Sequence, residues 1–198
     1  FKHETPLSIS YDLPALKVNE HQQKAVIKKF NLALEKPVLV LCAGAEYGSS
    51  KRWPENHFAQ LAQHKLDKGW QVWLIGSEKD QKITQTINEH CHNAVSYNAC
   101  YDFAGKTNLT QAVDLISLAH TVVTNDSGLM HIAAALDRKV IALYGSSDPH
   151  FTPPLHVKAQ IISLNLACSP CFKRECPLGH RQCLTDILPH QVITLIER

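Results

Sequence analysis

Six short apolar runs, most of them rich in β-branched residues and most separated by stretches of helical period, set the strongest limit on how this chain can fold. The runs are Val38–Cys42, Gln71–Ile75, Ala94–Tyr97, Thr121–Thr124, Val140–Tyr144 and Gln160–Leu164. Between them Phe58, Leu61, Ala62 and Leu66 recur at helical spacing, as do Ala112, Leu115, Ile116 and Ala119. Apolar strands that alternate with helices bury both faces of a parallel sheet. The expectation is therefore an α/β fold, a Rossmann-like parallel sheet with helices on both faces. Thr107 or Asn108 is placed to cap the helix that begins at Leu109, His21 to Leu34 reads as a further helix, and Pro189 to Ile196 as a terminal one with its proline in the first turn. Residues 1–20, with prolines at 6 and 14, read as an incoming linker, and residues 21–198 as one domain.

The bulk composition narrows the partner. With 198 residues, 44% hydrophobic and 19% charged, the chain is long and apolar enough for a proper core. A net charge of +2 is too mild for a nucleic-acid binder, although twelve histidines add charge below neutral pH, so a small anion is the expected partner and nucleic acid is not. No run approaches the roughly 18 apolar residues of a membrane span, and the opening FKHETPLSISYD lacks the apolar core of a signal peptide. A cytoplasmic protein is expected, with peripheral membrane contact left open. Phe1 in place of an initiator Met suggests a chain cut from something longer.

In a parallel α/β sheet ligands bind outside the carboxyl ends of the strands, so the loops there carry the candidates. Thr124-Asn125-Asp126-Ser127-Gly128-Leu129-Met130-His131 ends a strand on an acid and turns through Ser-Gly into a helix. Such a turn leaves backbone N–H groups facing outward as a seat for phosphate. Asp126 would repel a phosphate that it faced, so its carboxylate is expected to point at neighbouring hydroxyls, and the ligand is a phosphate joined to something rich in hydroxyls, such as a nucleotide sugar. The competing reading is that Asp126 or Ser127 only caps the helix.

After the first strand, Ala43 to Pro54 is glycine-bearing, hydroxyl-bearing and then basic at Lys51 and Arg52, and it matches neither the P-loop spacing nor the dinucleotide fingerprint. Lys51 can reach a diphosphate; alone it reads equally as a solvated loop charge. Gly76-Ser77-Glu78-Lys79-Asp80 offers Glu78 and Asp80 where such folds often place a carboxylate on ribose hydroxyls, and Asp80 also suits a helix cap. The loops Tyr101–Thr107, Gly145–Pro149 and Phe151–Pro154 complete the crevice, with their prolines and glycines fixing loop shape.

Taken together, SKRWPENHFAQLA, the GSEKD loop, FAGKTNLTQAVDLISLAHTVVTNDSGLMHIAAAL and VIALYGSSDPHFTPPL resemble the ADP-heptose:lipopolysaccharide heptosyltransferases of glycosyltransferase family 9, most like their type II branch. The likeness runs from about Val38 to Leu155 and covers the carboxyl-terminal half of such enzymes. It implies one half of a GT-B glycosyltransferase, the half that holds the nucleotide-sugar donor. By that resemblance Lys51 contacts phosphate or sugar, Asp80 or Glu78 holds ribose, and Asp126 holds heptose hydroxyls. Ser127, Gly128 and Leu129 present backbone N–H groups to the diphosphate, with His131 one turn further in. The implied reaction is inverting transfer of L-glycero-D-manno-heptose from ADP-heptose to the inner core of lipopolysaccharide, at the inner face of the bacterial inner membrane. The helix end and Lys51, the one catalytic assignment, stabilise the ADP leaving group, and neither a metal nor another cofactor is needed. The acceptor site and the general base belong to a missing amino-terminal domain, so this chain alone is expected to bind donor and transfer poorly or not at all.

Cys168, Cys171, Cys176 and Cys183, with His180 among them, are not demanded by that resemblance. Four thiols within sixteen residues can close a tetrahedral zinc site, although the spacing is not that of a zinc ribbon; an iron–sulfur cluster ranks below zinc, and unmetallated or oxidised cysteines are the leading reading. Two other functions stay open on the residues: a non-catalytic nucleotide-binding domain, and a zinc-knuckle nucleic-acid module, which the mild charge disfavours.

Overall fold

The computed structural model describes residues 12–91, 94 and 97–198. Its strands are β1 (Val38–Cys42), β2 (Gln71–Leu74), β3 (Cys100–Asp102), β4 (Thr121–Asn125), β5 (Lys139–Tyr144) and β6 (Gln160–Ser163). All pair in parallel, in the order β3-β2-β1-β4-β5-β6. The helices are α1 (Glu20–Lys29), α2 (Glu55–Asp67), α3 (Gln81–His90), α4 (Leu109–Ser117), α5 (Gly128–Ala135), α6 (Gln182–Thr185) and α7 (Pro189–Glu197).

Strand periodicity sorts the core into two layers. On one face Leu39, Leu41, Val123, Ile141 and Leu143 pack under α2, α3 and α7 with Phe58, Leu61, Ile87 and Val192. On the other Val38, Val40, Cys42, Val122, Val140 and Ala142 pack under α1, α4 and α5 with Val26, Leu115 and Met130. Both faces of β1 are buried, which is why its sequence VLVLC does not alternate with polar residues. Burial also pushes the Cys42 thiol up to about 12, so this cysteine packs as a small hydrophobe.

Two elements differ from expectation by more than one residue. The third strand, expected at Ala94–Tyr97, lies at Cys100–Asp102, and Tyr97–Ala99 is a 3-10 turn; residues 95 and 96 fall outside the described residues. At the edge of the sheet, register follows aromatic packing: Tyr101 and Phe103 stack at 5.9 Å, and Phe103 meets Trp73 of β2 edge-on at 5.7 Å. The first helix, expected from His21 to Leu34, ends at Lys29. Asn31, in the left-handed region at φ 50°, turns the chain away there, while the Asn19 side chain caps the other end through His21 N and Gln22 N. Asn108 is the cap of α4, and Pro189 opens α7. The segment before α1 has no regular structure from residue 12 on, yet Leu16 N donates to Ala135 O at 2.7 Å and ties it to α5.

Burial lowers the pKa of His57, and burial together with Lys139 and Lys65 lowers that of His120. Both are thus neutral in the fold where the unfolded chain, with histidine pKa near 6.5, takes up protons. The unfolded state then binds more protons, so stability rises with pH across that window and is lost as pH falls through it. Thermal unfolding from pH 7.5 to 5.5 should show a falling Tm, and the fall should be shallower in a His57→Gln/His120→Gln variant. An equal fall in both proteins would refute the assignment.

Candidate functional site

The sheet order places β1 and β4 side by side at its centre, so the loops that leave them part to opposite sides and open a crevice at their carboxyl ends. Asn125, the last residue of β4 and wholly buried, holds that crevice together. Its Oδ1 accepts from Trp53 N at 3.0 Å and its Nδ2 donates to Ala43 O at 2.8 Å, joining β4 to both ends of the loop after β1. Sequence reasoning gave Asn125 no role; the only signal is an amide side chain at the end of an apolar strand. Asn125→Ala leaves two buried backbone groups unpaired, at about 1–3 kcal/mol each and so about 2–6 kcal/mol together. Chemical denaturation is expected to show a loss in that range, and a change below about 0.5 kcal/mol would mean that the bridge is dispensable.

Lys51 and Asp126, 75 residues apart, meet across the crevice with Nζ 2.5 Å from Oδ2. The Asp126 carboxylate is largely buried, with a side-chain exposure of 5% against 18% for Lys51, and its Oδ1 accepts from Thr152 Oγ1 at 3.3 Å. Thr152 is held in turn by the hydroxyl of Tyr144, which donates to its carbonyl. Burial and the nearby Asp126 charge keep the Tyr144 hydroxyl protonated by raising its pKa. Tyr47 borders Lys51: its ring lies 5.2 Å from the Lys51 ammonium and 5.0 Å from the Arg174 guanidinium.

Helix α5 starts at the same point. Ser127, its N-cap in extended conformation, makes no side-chain cap, and its hydroxyl turns to Thr124 Oγ1 at 3.3 Å. The capping explanation of Ser127 therefore fails for its side chain. A Cβ built on Gly128 would meet nothing within 4 Å. Where Gly128 faces open space its lack of a side chain serves no packing need, and it leaves the first-turn N–H groups accessible to an anion. Gly128→Val is thus expected to leave the Tm within a few degrees of the parent while weakening binding of ADP-linked ligands by calorimetry. Unchanged affinity would remove the helix start from the site.

A cavity of about 530 Å³ opens beside this helix start, lined by Gly44 to Glu46, Ile75 to Ser77, Asp80, Thr107 to Leu109, Ala112, Ser127 to Leu129 and Ile132. Asp80 lies on its wall, and Asp80 Oδ2 accepts from Ser77 N at 2.9 Å and Ser77 Oγ at 2.7 Å in a capping box. Gly44 and Gly76 make room for it, since a Cβ on Gly44 would sit 2.3 Å from the Asp80 carboxylate. Glu78 is exposed and outside the lining, and His131 is exposed on α5, also outside it.

The segment that carries the four clustered cysteines forms the base of the Lys51 loop, a link that the sequence does not reveal. Ser50 N donates to Arg174 O at 3.1 Å, and the buried Ser50 hydroxyl donates to Lys173 O and pairs with Ser146 Oγ at 3.0 Å. Tyr47 OH donates to Phe172 O at 2.8 Å, and Phe172 N to Ser146 O at 2.7 Å. All seven cysteines are free thiols. Among the described residues no three His, Cys, Asp or Glu side chains already stand together as a metal would require, and no helix is long and apolar enough to cross a membrane.

The sheet order, the switch-point crevice and the open helix start define a Rossmann-like α/β domain of the class that takes its ligand at the strand ends. The sequence profile of glycosyltransferase family 9 (heptosyltransferase) matches residues 3–182, and the chain belongs to that family. It is 44% identical over 180 residues to lipopolysaccharide heptosyltransferase 2 of Salmonella typhimurium, covering 91% of this chain and 51% of that protein. It is also 44% identical over 191 residues to lipooligosaccharide heptosyltransferase 2 of Haemophilus influenzae, covering 92% and 55%. The solved ADP-heptose lps heptosyltransferase II of E. coli superposes with a TM-score of 0.83 at 41% identity, over 98% of this chain and 54% of that one. The chain thus has the fold of one half of a GT-B glycosyltransferase and spans about half the length of the curated relatives it matches.

Proposed function

We propose that this chain is the donor-binding half of an ADP-heptose:lipopolysaccharide heptosyltransferase, transferring L-glycero-D-manno-heptose with inversion to the lipopolysaccharide inner core. The observation that carries the reading is the Lys51–Asp126 pair at 2.5 Å, beside the open start of α5 and the cavity along it. A cation, a row of N–H donors and a carboxylate in one crevice match a ligand that joins a diphosphate to a polyol. Lys51 and the N–H groups of Ser127, Gly128 and Leu129 take the diphosphate, and Asp126 accepts from heptose hydroxyls. Ile75, Ala112, Leu129 and Ile132 offer an apolar wall for the adenine. Asp80, on the cavity wall, is the better ribose partner than the exposed Glu78, and His131 acts at most from the rim.

In the reaction, negative charge builds on ADP as the anomeric C–O bond breaks. Lys51 and the positive end of α5 stabilise it there, which lowers the barrier without a change in the donor's ground-state contacts. Neither Asp126 nor Asp80 is free to act as general base, so the amino-terminal domain of the same enzyme supplies base and acceptor site. Contact with the inner face of the bacterial inner membrane, where the acceptor sits, belongs to the same proposal. A transfer assay with labelled ADP-heptose and heptose-deficient lipopolysaccharide tests the reading. Transfer is expected only when the chain is joined to an amino-terminal half, and an equal rate from the chain alone would overturn the division of labour.

A further inference from the structure

The four clustered cysteines converge on one small cavity that the donor site does not use. Cys168, Cys171, Cys176 and Cys183 line a space of about 20 Å³, room for a single ion or water, together with His180, Ser50 and Ser146. Phe172 and Arg181, both bulky, are held in the left-handed region at φ 53° and 51°, one directly after Cys171 and the other two residues before Cys183. Such conformations persist only where their surroundings over-determine them. The same segment carries Lys173, Arg174 and Arg181 against Glu175, a positive excess, and the cavity lining holds Arg181 and no carboxylate.

We propose that Cys168, Cys171, Cys176 and Cys183 form a tetrathiolate site for one divalent thiophilic metal ion of the zinc or ferrous class. The sulfurs ring the cavity but do not yet stand at bonding distance from one point. Binding draws them to about 2.3 Å from the ion, as in tetrahedral sulfur sites. Each thiol gives its proton to solvent as its sulfur bonds the metal, so affinity rises with pH. The complex of four thiolates with a divalent ion carries two negative charges, which Lys173, Arg174 and Arg181 offset. Its role is structural. Closing residues 168–183 around an ion fixes Phe172, Lys173 and Arg174, whose carbonyls hold Tyr47 and Ser50, and so fixes the loop that presents Lys51. Only that last consequence rests on the donor-site reading; the metal site itself does not.

The test is cobalt(II) titration of metal-free, reduced protein under argon, with elemental analysis of the protein as purified. The expected result is about one zinc or iron per chain, and with cobalt the sulfur-to-cobalt charge-transfer band and visible bands of a tetrahedral ion, saturating at one equivalent. Cys176→Ser should lose the one-equivalent endpoint, whereas Cys100→Ser, outside the cluster, should keep it. If the serine variant fails to fold, the wild-type titration decides alone. Absence of a tetrahedral cobalt spectrum in the wild type, or a spectrum unchanged in Cys176→Ser, would overturn the proposal. Because no nucleotide sugar enters this experiment, its failure would leave the donor-site reading standing, and the converse also holds.

Discussion

Lys51→Ala is expected to weaken binding of ADP-heptose by about 10- to 150-fold, the equivalent of the 1.5–3 kcal/mol that a charge-assisted hydrogen bond contributes. The loss arises twice. The diphosphate loses its nearest cation, and Asp126, with a side chain only 5% exposed, is left with Thr152 as its remaining side-chain partner. Removing the ammonium leaves a largely buried carboxylate without its ion-pair partner, and its sugar-facing acceptor role weakens with it. Lys51→Ala, Asp126→Ala and the double variant, titrated calorimetrically with the same donor, form a cycle in which the double loss should fall well short of the sum. Additive losses, or a Lys51→Ala effect below twofold, would mean that the pair is a structural contact and that the donor lies elsewhere.

Trp53→Ala is expected to cost about 3–5 kcal/mol of stability, the range for emptying a fully buried aromatic site. Trp53 is 1% exposed, meets Phe58 edge-on at 4.8 Å, and donates from Nε1 to Ile187 O at 2.8 Å. Its backbone N–H is the group that Asn125 accepts, and it follows Lys51 by two positions, so the anchor of the fold is also the anchor of the site. Urea unfolding measures the loss. Trp53→Phe, which keeps the ring but not the donor, should lose distinctly less, and equal losses would place the effect in the hydrogen bond instead of the packing.

The sheet was legible from residues alone because its central strands are buried on both faces and so read as unbroken apolar runs. Legibility failed at one of the two edges, β3, while the other, β6, lies where its apolar run predicts. Cys100–Asp102 carries a polar residue and pairs with one neighbour only, and its position depends on how Tyr101 and Phe103 stack beside Trp73, which no local pattern encodes. The helix end at Lys29 was missed for a related reason, since apolar residues continue past it to Leu34 while Asn31 turns the chain.

At the site, the Ser-Gly helix start and the acid before it were visible as a local motif, and Lys51, beside Arg52, as a base in a glycine-bearing loop. Their pairing was not visible, because it depends on β1 and β4 being neighbours at the centre of the sheet. The bridging role of Asn125 and the seating of Tyr47 and Ser50 on residues 172–174 were hidden for the same reason. Asp80 precedes α3 without capping it by its side chain; its carboxylate turns back to Ser77 and lies on the cavity wall.

Recognition of a nucleotide-linked heptose in the crevice at the ends of β1 and β4 is expected to run through Asp126. Calorimetric titration of the chain with ADP-heptose and ADP-glucose, repeated on Asp126→Ala, tests it most directly. The parent is expected to bind ADP-heptose more tightly than ADP-glucose, and the variant to lose that preference. Equal binding of the two donors by the parent, a preference that survives in Asp126→Ala, or no heat from either donor even when the chain is joined to an amino-terminal half, would contradict it.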